Sequence, residues 1–268
     1  PLFAIATMPI VHTPQVLVCY CATTDIASPA EAEIAALLDP EEQERYQRMR
    51  PPVALRFFQG RRMVRQLLAQ KLHCDAQTLR FTYSENGKPG LTCESPWRFS
   101  ISHCDTAVVV AIGTVELGVD VETIHRQRGK LAPPWRKPQN FMHAYNAKQV
   151  EQCESDGEKA RLFTVFWTMM ESQVKLADSS IFRASKHLAI ALQTQGGNSW
   201  ATVTEQAREY AGGDCYWWSY EGLDKAGGDI VSLALNERGA QVELLQWSKA
   251  GAVLPAPLLA IVSPPIKN

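Results

Sequence analysis

Residues 116–128 read ELGVDVETIHRQR, and the part LGVDVE has the composition of a buried strand that nevertheless carries two acids. Asp120 and Glu122 stand two residues apart, so on a strand their carboxylates project from the same face. Two carboxylates side by side destabilise each other unless a cation lies between them. The pair alone leaves two interpretations open: a solvated strand face, which is the commoner case, and a metal site.

Helix start signals precede this strand in the chain. Asp39 stands in an N-cap position and is followed by Pro40, and Ser28 with Pro29 opens an earlier helix in the same way. A third, longer helix has one apolar side and one side that carries arginines. The helices predicted in this part are 28–38, 39–49 and 53–72.

Runs of β-branched and apolar residues predict strands in two groups, and a strong helix over 162–177 precedes the second group. The first group is 15–22, 98–104, 107–113 and 117–122, and the second is 187–194, 215–222, 229–236 and 241–248.

Helix followed by sheet occurs twice, which predicts an α+β fold of two similar halves related by a pseudo-twofold axis. Each half is expected to be a small antiparallel-rich sheet packed with helices. The predicted boundary separates residues 1–117 from residues 118–268, and the basic, proline-rich segment 125–140 is predicted to be a surface loop.

The composition limits the classes of protein. The chain has 268 residues with 27 basic and 28 acidic side chains, so no overall field favours nucleic acid or a membrane surface. No apolar run is long enough to span a bilayer. Seven cysteines without a CxxC spacing argue against a zinc site or a disulfide framework and favour a reducing cytoplasm. The apolar start lacks a basic region and is interpreted as a lead-in and first strand rather than a signal peptide.

A third acid stands on the predicted helix 162–177. Glu171 has Trp167 and Lys175 four residues to either side, on the same helix face. Such a Glu–Lys pair is usually exposed to solvent. Together with Asp120 and Glu122, however, Glu171 would supply the oxygen ligands that Mg²⁺ prefers, with phosphate groups completing the shell.

Several cations are open to two interpretations. Lys88 in ENGKPG and His103 after FSIS are either an ordinary loop lysine and turn histidine or contacts to an anion. The segment from Arg45 to Cys74 has eight basic residues and no acid, yet it lacks the interleaved aromatic platform of a nucleic-acid surface. Neither a Ser/His/Asp or Cys/His set nor a glycine-rich phosphate loop is present. A metal with several cations therefore favours a diphosphate-bearing substrate.

The order of these motifs resembles the surfactin-type 4′-phosphopantetheinyl transferases. The resemblance rests on a basic helix, NGKPG, FSISHC, GVDVE and FWTMMESQVK, in that order, and extends from about residue 15 to about residue 235. Members of this family transfer the phosphopantetheine arm of coenzyme A (CoA) to a serine of an apo carrier protein and release 3′,5′-ADP. The resemblance implies a cytoplasmic, monomeric, Mg²⁺-dependent enzyme with CoA in a cleft between the two halves.

The resemblance also implies roles for individual residues. Asp120, Glu122 and Glu171 correspond to the Mg²⁺ ligands, and Glu171 is also expected to take the proton of the attacking serine. Lys175 is expected at the CoA diphosphate, and His103 and Arg56 at its 3′-phosphate. The full set expected to contact CoA is Arg45, Arg56, Lys88, Ser102, His103 and Lys175.

The sequence departs from the family pattern at Met170, where the family usually has a lysine, and over 176–182, where it usually has a glycine. Because the substrate is anionic, Met170→Lys is expected to raise transfer activity or CoA affinity, unless Met170 packs on the apolar face of its helix. The departures keep a rival interpretation open, a degenerate relative that binds CoA or a carrier protein with little transfer. A nucleic-acid-binding protein is a third, weaker alternative.

The basic loop 125–140 is expected to form part of the carrier-protein docking surface. Carrier proteins of this family are typically acidic around the modified serine, so opposite charges would speed the encounter. Leu131 and Trp135 are expected to add exposed apolar contacts to the positive charge of Arg126 and Arg128.

Overall fold

The structure is a computed structural model, and it describes residues 13–125, 132–195, 198–204, 207, 211, 215–221, 228–237 and 239–255. Within these ranges helices and strands are mixed, as the sequence predicted. The α-helices are α1 Glu31–Leu37, α2 Pro40–Arg48, α3 Pro51–Leu72, α4 Ala144–Glu151, α5 Asp156–Leu176 and α6 Ile181–His187. The strands of the first half are β1 Gln15–Ala22, β2 Phe81–Tyr83, β3 Pro89–Leu91, β4 Arg98–His103, β5 Ala107–Gly113 and β6 Leu117–Thr123. The later strands are β7 Ile190–Gln195, β8 Asn198–Val203, β9 Tyr216–Glu221, β10 Asp229–Leu235, β11 Gln241–Trp247 and β12 Val253–Pro255.

The start of α2 follows the predicted chemistry. The Asp39 side chain accepts a hydrogen bond from the Glu42 amide, and the Glu42 carboxylate accepts one from the Asp39 amide. This capping box satisfies two donors at the helix start. The predicted start of α1 at Ser28 is wrong by two residues, because Ala30 is the N-cap and makes no side-chain hydrogen bond there.

Two five-stranded sheets form the centre of the fold. The first has the order β12-β11-β1-β5-β4 and the second the order β6-β10-β9-β8-β7. β11 runs parallel to β1, whereas the other neighbouring pairs are antiparallel. The strand at 241–247, which the sequence analysis assigned to the second group, belongs instead to the first sheet, where it pairs with β1. The boundary near residue 117 stays a prediction.

The two sheets share an apolar core. Val18 and Val109 of the first sheet are buried in one cluster with Val119 and Leu233 of the second. The outer face of the first sheet is covered by α3 and that of the second by α5, so β5 is buried along its whole length. β6, which carries the two acids, lies between β10, β4 and α5.

The basic run of α3 is not simply a solvated face. Arg61 and Arg65 are buried, and both pair with the buried Glu42, at 2.8 Å and 2.6 Å. A charge removed from water is tolerated only with such partners. The prediction that the arginines form a side opposite the apolar one is therefore wrong for these two residues.

Gly118 allows β6 to lie directly against α5. A Cβ atom built at this position would lie 2.0 Å from the Ser172 carbonyl oxygen and 2.5 Å from the Leu176 amide nitrogen. Because both atoms are backbone, no side-chain rotation relieves the clash, and Gly118→Ala is expected to lower the free energy of unfolding by about 1–3 kcal/mol or more. Urea denaturation measures the effect. Gly239→Ala is the matched control, since a Cβ there meets nothing within 4 Å, and an equal loss in both variants would contradict the close packing.

Among the described residues, the structure contains no helix that is both long and apolar enough to cross a membrane.

Candidate active site

Asp120 lies in the middle of β6 with only 5% of its surface exposed. Its Oδ1 accepts a hydrogen bond from Ser102 Oγ at 2.6 Å and from Lys175 Nζ at 2.7 Å. Its Oδ2 is buried and has no hydrogen-bond partner among the residues the structure describes. Leaving a carboxylate oxygen buried without a partner is costly, so this atom is the strongest local indication that the site can accept a cation.

Lys175 connects α5 to β6. Besides the Asp120 carboxylate, its Nζ bonds to the Val119 carbonyl oxygen at 3.1 Å. The close approach at Gly118 brings the helix near enough for these contacts. The structure thus joins Asp120 and Lys175, which are 55 residues apart in the sequence.

Glu122 and Glu171 are both partly buried. Within the described ranges, no three acidic, histidine or cysteine side chains converge on a point where they could hold a metal ion. Mg²⁺ usually binds proteins through one or two carboxylates and keeps water or substrate phosphates as its other ligands. The unpartnered Oδ2 of Asp120 fits such an ion, whereas the described side chains by themselves do not form a complete cage around it.

A second cluster of charges lies where β4 ends. The Arg56 side chain from α3 is 13% exposed, and its Nη2 lies 3.3 Å from Asp105 Oδ1, while its Nε is buried without a partner among the described residues. The pKa of His103, which is exposed at the end of β4, is lowered, first because surrounding protein atoms partly desolvate the ring and then because Arg56 and Lys175 carry positive charge nearby. The structure therefore brings His103, Arg56 and Lys175 within electrostatic reach of one another.

Lys88 lies in the turn between β2 and β3, and its side chain reaches the C-terminal end of α5. Its Nζ donates to the Leu176 carbonyl oxygen at 2.9 Å and to Glu116 Oε2 at 3.3 Å. Burial alone would raise the pKa of Glu116, but the hydrogen bond from Arg98 and the charge of Lys88 lower it. Lys88 and Lys175 both line a cavity of about 210 Å³ between the β2–β3 hairpin, β4 and α5, so two cations face one space large enough for part of a ligand.

Two of the expected CoA contacts have other partners. Ser102 is buried and donates to Asp120. Arg45 is exposed, and its guanidinium lies 5.4 Å from the centre of the Phe57 ring and 6.0 Å from that of Tyr83. Whether any of the predicted residues contacts CoA or a metal stays a prediction.

Sequence reasoning missed two acids near the site. Glu116 pairs with Lys88 and Arg98, and its position directly before β6 was the available signal. Asp229 is fully buried and accepts hydrogen bonds from Tyr20 at 2.8 Å and Thr106 at 2.6 Å. The spacing of residues does not predict the partners of either acid, because the partners lie in distant parts of the chain.

Met170 lies in the core. It is 2% exposed and belongs to the same buried cluster as Phe166, Trp217 and Ile230. The expectation that Met170→Lys adds a cation at the substrate is wrong, because position 170 faces the apolar interior between α5 and the second sheet.

The basic loop is described only in part, and Leu131, Arg126 and Arg128 lie outside the described residues. Trp135 is partly buried and packs against the α5 core cluster, so the expectation that it is an exposed anchor is wrong. Arg136 is exposed and lies 3.8 Å from Asp156.

Two family models match consecutive parts of the chain. The model of the N-terminal region of 4′-phosphopantetheinyl transferases matches residues 28–115, and that of the 4′-phosphopantetheinyl transferase superfamily matches residues 116–213. The two matches meet just before β6.

Three curated proteins are similar to the chain. A Synechocystis protein, provisionally named a 4′-phosphopantetheinyl transferase, is 37% identical over 157 residues, which are 54% of this chain and 59% of that protein. The 4′-phosphopantetheinyl transferase gsp of Aneurinibacillus migulanus is 28% identical over 48% of this chain and 51% of its own length. The 4′-phosphopantetheinyl transferase HetI of Nostoc is 26% identical over 56% of this chain and 63% of its own length. The matched parts thus span between about half and two thirds of these relatives.

Proposed function

Because the chain belongs to the 4′-phosphopantetheinyl transferase superfamily, we propose that it transfers the 4′-phosphopantetheine arm of CoA to a serine of an apo carrier protein and releases 3′,5′-ADP. The observation that carries this proposal is the contact of Asp120, in the GVDVE strand, with Lys175 of α5. This contact brings together the two family motifs that supply the proposed metal ligands, GVDVE and FWTMMESQVK. The pseudo-twofold relation of the halves, the CoA cleft between them and a monomeric state belong to the same proposal.

In this proposal Asp120, Glu122 and Glu171 are the protein ligands of Mg²⁺, and because the described side chains do not converge in the free protein, they would draw together only when the ion and the CoA diphosphate bind. The ion would neutralise negative charge on the diphosphate and on the leaving 3′,5′-ADP. Asp120 offers it the unpartnered Oδ2. Glu171, on α5, is proposed to take the proton of the carrier serine.

The cations near the site are proposed to bind the other charges of CoA. Lys175 would turn from Asp120 toward the diphosphate, since its flexible stem allows the ammonium to change partners. Lys88 lines the same cavity as Lys175 and would face the nucleotide. His103 and Arg56 would receive the 3′-phosphate, and the buried Nε of Arg56 without a described partner supports an anion there.

One observation favours a second candidate function. In this alternative the protein is a relative that binds CoA or a carrier protein but has weak transfer activity. Position 170, where the family usually has a lysine, is apolar and buried in this chain. The protein then has one cation fewer for the transition-state charge, which would lower the rate without removing the binding site.

Mass spectrometry of carrier proteins tests the proposal. Apo acyl carrier and peptidyl carrier proteins are incubated with the protein, CoA and Mg²⁺. We expect the mass of at least one carrier to rise by one phosphopantetheine, and the increase to disappear when its acceptor serine is replaced by alanine. CoA binding without any increase would favour the second candidate, and the absence of both would overturn the proposal.

CoA affinity is expected to depend on pH through His103. Its pKa is lowered in the free protein, and a bound phosphate would raise it, so CoA binding takes up a proton and strengthens as the pH falls between the two pKa values. Calorimetry with CoA and with dephospho-CoA, which lacks the 3′-phosphate, measures this. The 3′-phosphate itself takes up a proton near pH 6 and adds its own pH dependence to CoA binding. The His103→Gln variant, which lacks the imidazole, measures this contribution separately. An identical pH profile of CoA binding in wild type and His103→Gln would contradict the assignment.

A further inference from the structure

We propose that Ser102 is a positioning residue, which fixes the Asp120 carboxylate so that Oδ2 is the oxygen presented to a cation. This inference rests on the proposed function, and it gives Ser102 a role toward the metal side of the site in addition to the expected contact with CoA. The inference follows from the hydroxyl group of Ser102 on β4, which makes hydrogen bonds with two residues of β6.

The hydrogen bonds of Ser102 fix the direction of its hydroxyl proton. The Val121 amide donates to Ser102 Oγ at 3.4 Å, so it contacts a lone pair of the oxygen. The single hydroxyl proton goes to Asp120 Oδ1 at 2.6 Å. Because β4 and β6 are both buried strands, the donor and the acceptor are held by backbone on each side.

The two oxygens of Asp120 therefore have different environments. Oδ1 is occupied by Ser102 and Lys175, whereas Oδ2 is buried and has no partner within the described chain. A carboxylate held through one oxygen can bind an ion through the other without losing its existing bonds. Groups that orient a metal ligand in this way typically contribute 10-fold to 100-fold in metal affinity.

Ser102 and Lys175 differ in how permanent their contacts are. Lys175 is 29% exposed on a long stem and is proposed to turn toward the diphosphate when CoA binds. Ser102 is buried, has a short side chain and cannot follow. Once Lys175 has turned away, Ser102 is the partner that keeps Asp120 in its orientation.

Ser100, on the same strand, provides the control; it lines the cavity that Lys88 and Lys175 share, so CoA binding is measured first and each variant is saturated with CoA before Mn²⁺ is added. Ser100 is two residues from Ser102, is buried to a similar extent, and its Oγ also accepts a hydrogen bond from a β6 amide, that of Val119 at 3.1 Å. The contact with Asp120 belongs to Ser102 alone among these two serines. Each serine-to-alanine variant removes one buried hydroxyl and its hydrogen bond from a β6 amide, and Ser102→Ala also removes the bond to Asp120. Ser100→Ala therefore controls for the hydroxyl and the amide contact, and the difference between the variants reports the bond to Asp120.

The test is Mn²⁺ binding, measured by electron paramagnetic resonance with the CoA-saturated protein and no carrier protein. We expect Mn²⁺ affinity to fall about 10-fold or more in Ser102→Ala and to change less than about 2-fold in Ser100→Ala. Ser102→Thr, which keeps the hydroxyl, should recover most of the loss. Thermal unfolding of both alanine variants identifies any general loss of stability.

Two results would overturn the inference in distinguishable ways. Equal Mn²⁺ affinities in Ser102→Ala and Ser100→Ala would show that Ser102 does not orient Asp120, while the metal site and the proposed transfer stand. A wild-type protein that binds CoA but no Mn²⁺ would remove the metal site itself, and the inference with it. The carrier-modification assay then decides separately whether transfer occurs.

Discussion

Met170→Lys is expected to destabilise the protein by at least about 3 kcal/mol, because it places an ammonium group in an apolar core without a partner. Met170 is 2% exposed and packs with Phe166, Trp217 and Ile230 between α5 and the second sheet. To avoid the charge, the lysine would have to lose its proton or force α5 away from the sheet. Urea denaturation of wild type and variant measures the difference in the free energy of unfolding.

Met170→Leu is the matched control for this prediction. Leucine keeps the apolar character and nearly the volume of methionine, so its cost should stay below about 1.5 kcal/mol. An unchanged denaturation midpoint for Met170→Lys together with a gain in CoA affinity would contradict the burial of this side chain. It would also restore the expectation drawn from the family pattern.

Asp120→Asn is expected to lower carrier modification about 10²-fold to 10³-fold, the range in which removal of one electrostatic contact to a transition state usually falls. The substitution keeps the shape of the side chain but removes the charge that Lys175 and, in the proposed function, the metal require. Because Lys175 is partly exposed, water can solvate its ammonium, and the fold should persist. Initial rates by mass spectrometry, together with Mn²⁺ titration, measure the two losses.

Glu44→Gln controls for a general effect of removing a carboxylate. Glu44 pairs with Arg48 on the surface of α2, and 60% of its side chain is exposed, so this variant should keep both rate and Mn²⁺ affinity. Near-normal transfer by Asp120→Asn in the presence of Mg²⁺ would show that Asp120 is not a metal ligand. Loss of transfer with unchanged Mn²⁺ binding would assign Asp120 a role toward Lys175 alone.

Much of the local structure was determined by the sequence itself. Asp39 caps α2 as the sequence predicts, because its contact with the Glu42 amide joins residues only three apart. The buried strand that carries Asp120 was recognisable for a similar reason, since its composition and the spacing of its acids are local. The family motifs are short stretches in a fixed order, so they too could be recognised without the fold.

Partners that are distant in sequence were decided only by the tertiary structure. The parallel pairing of β11 with β1 joins strands more than two hundred residues apart, and no periodicity encodes it. Met170 and Arg65 show the same limit. Both lie on helices whose sequence is compatible with either a buried or an exposed position, and both are buried because other elements pack against them. Ser102 could be expected near the site, but its bond to Asp120 depends on how β4 lies against β6. Local energies thus determine the elements and the chemical groups, whereas the partner of each group follows from packing that only the folded chain provides.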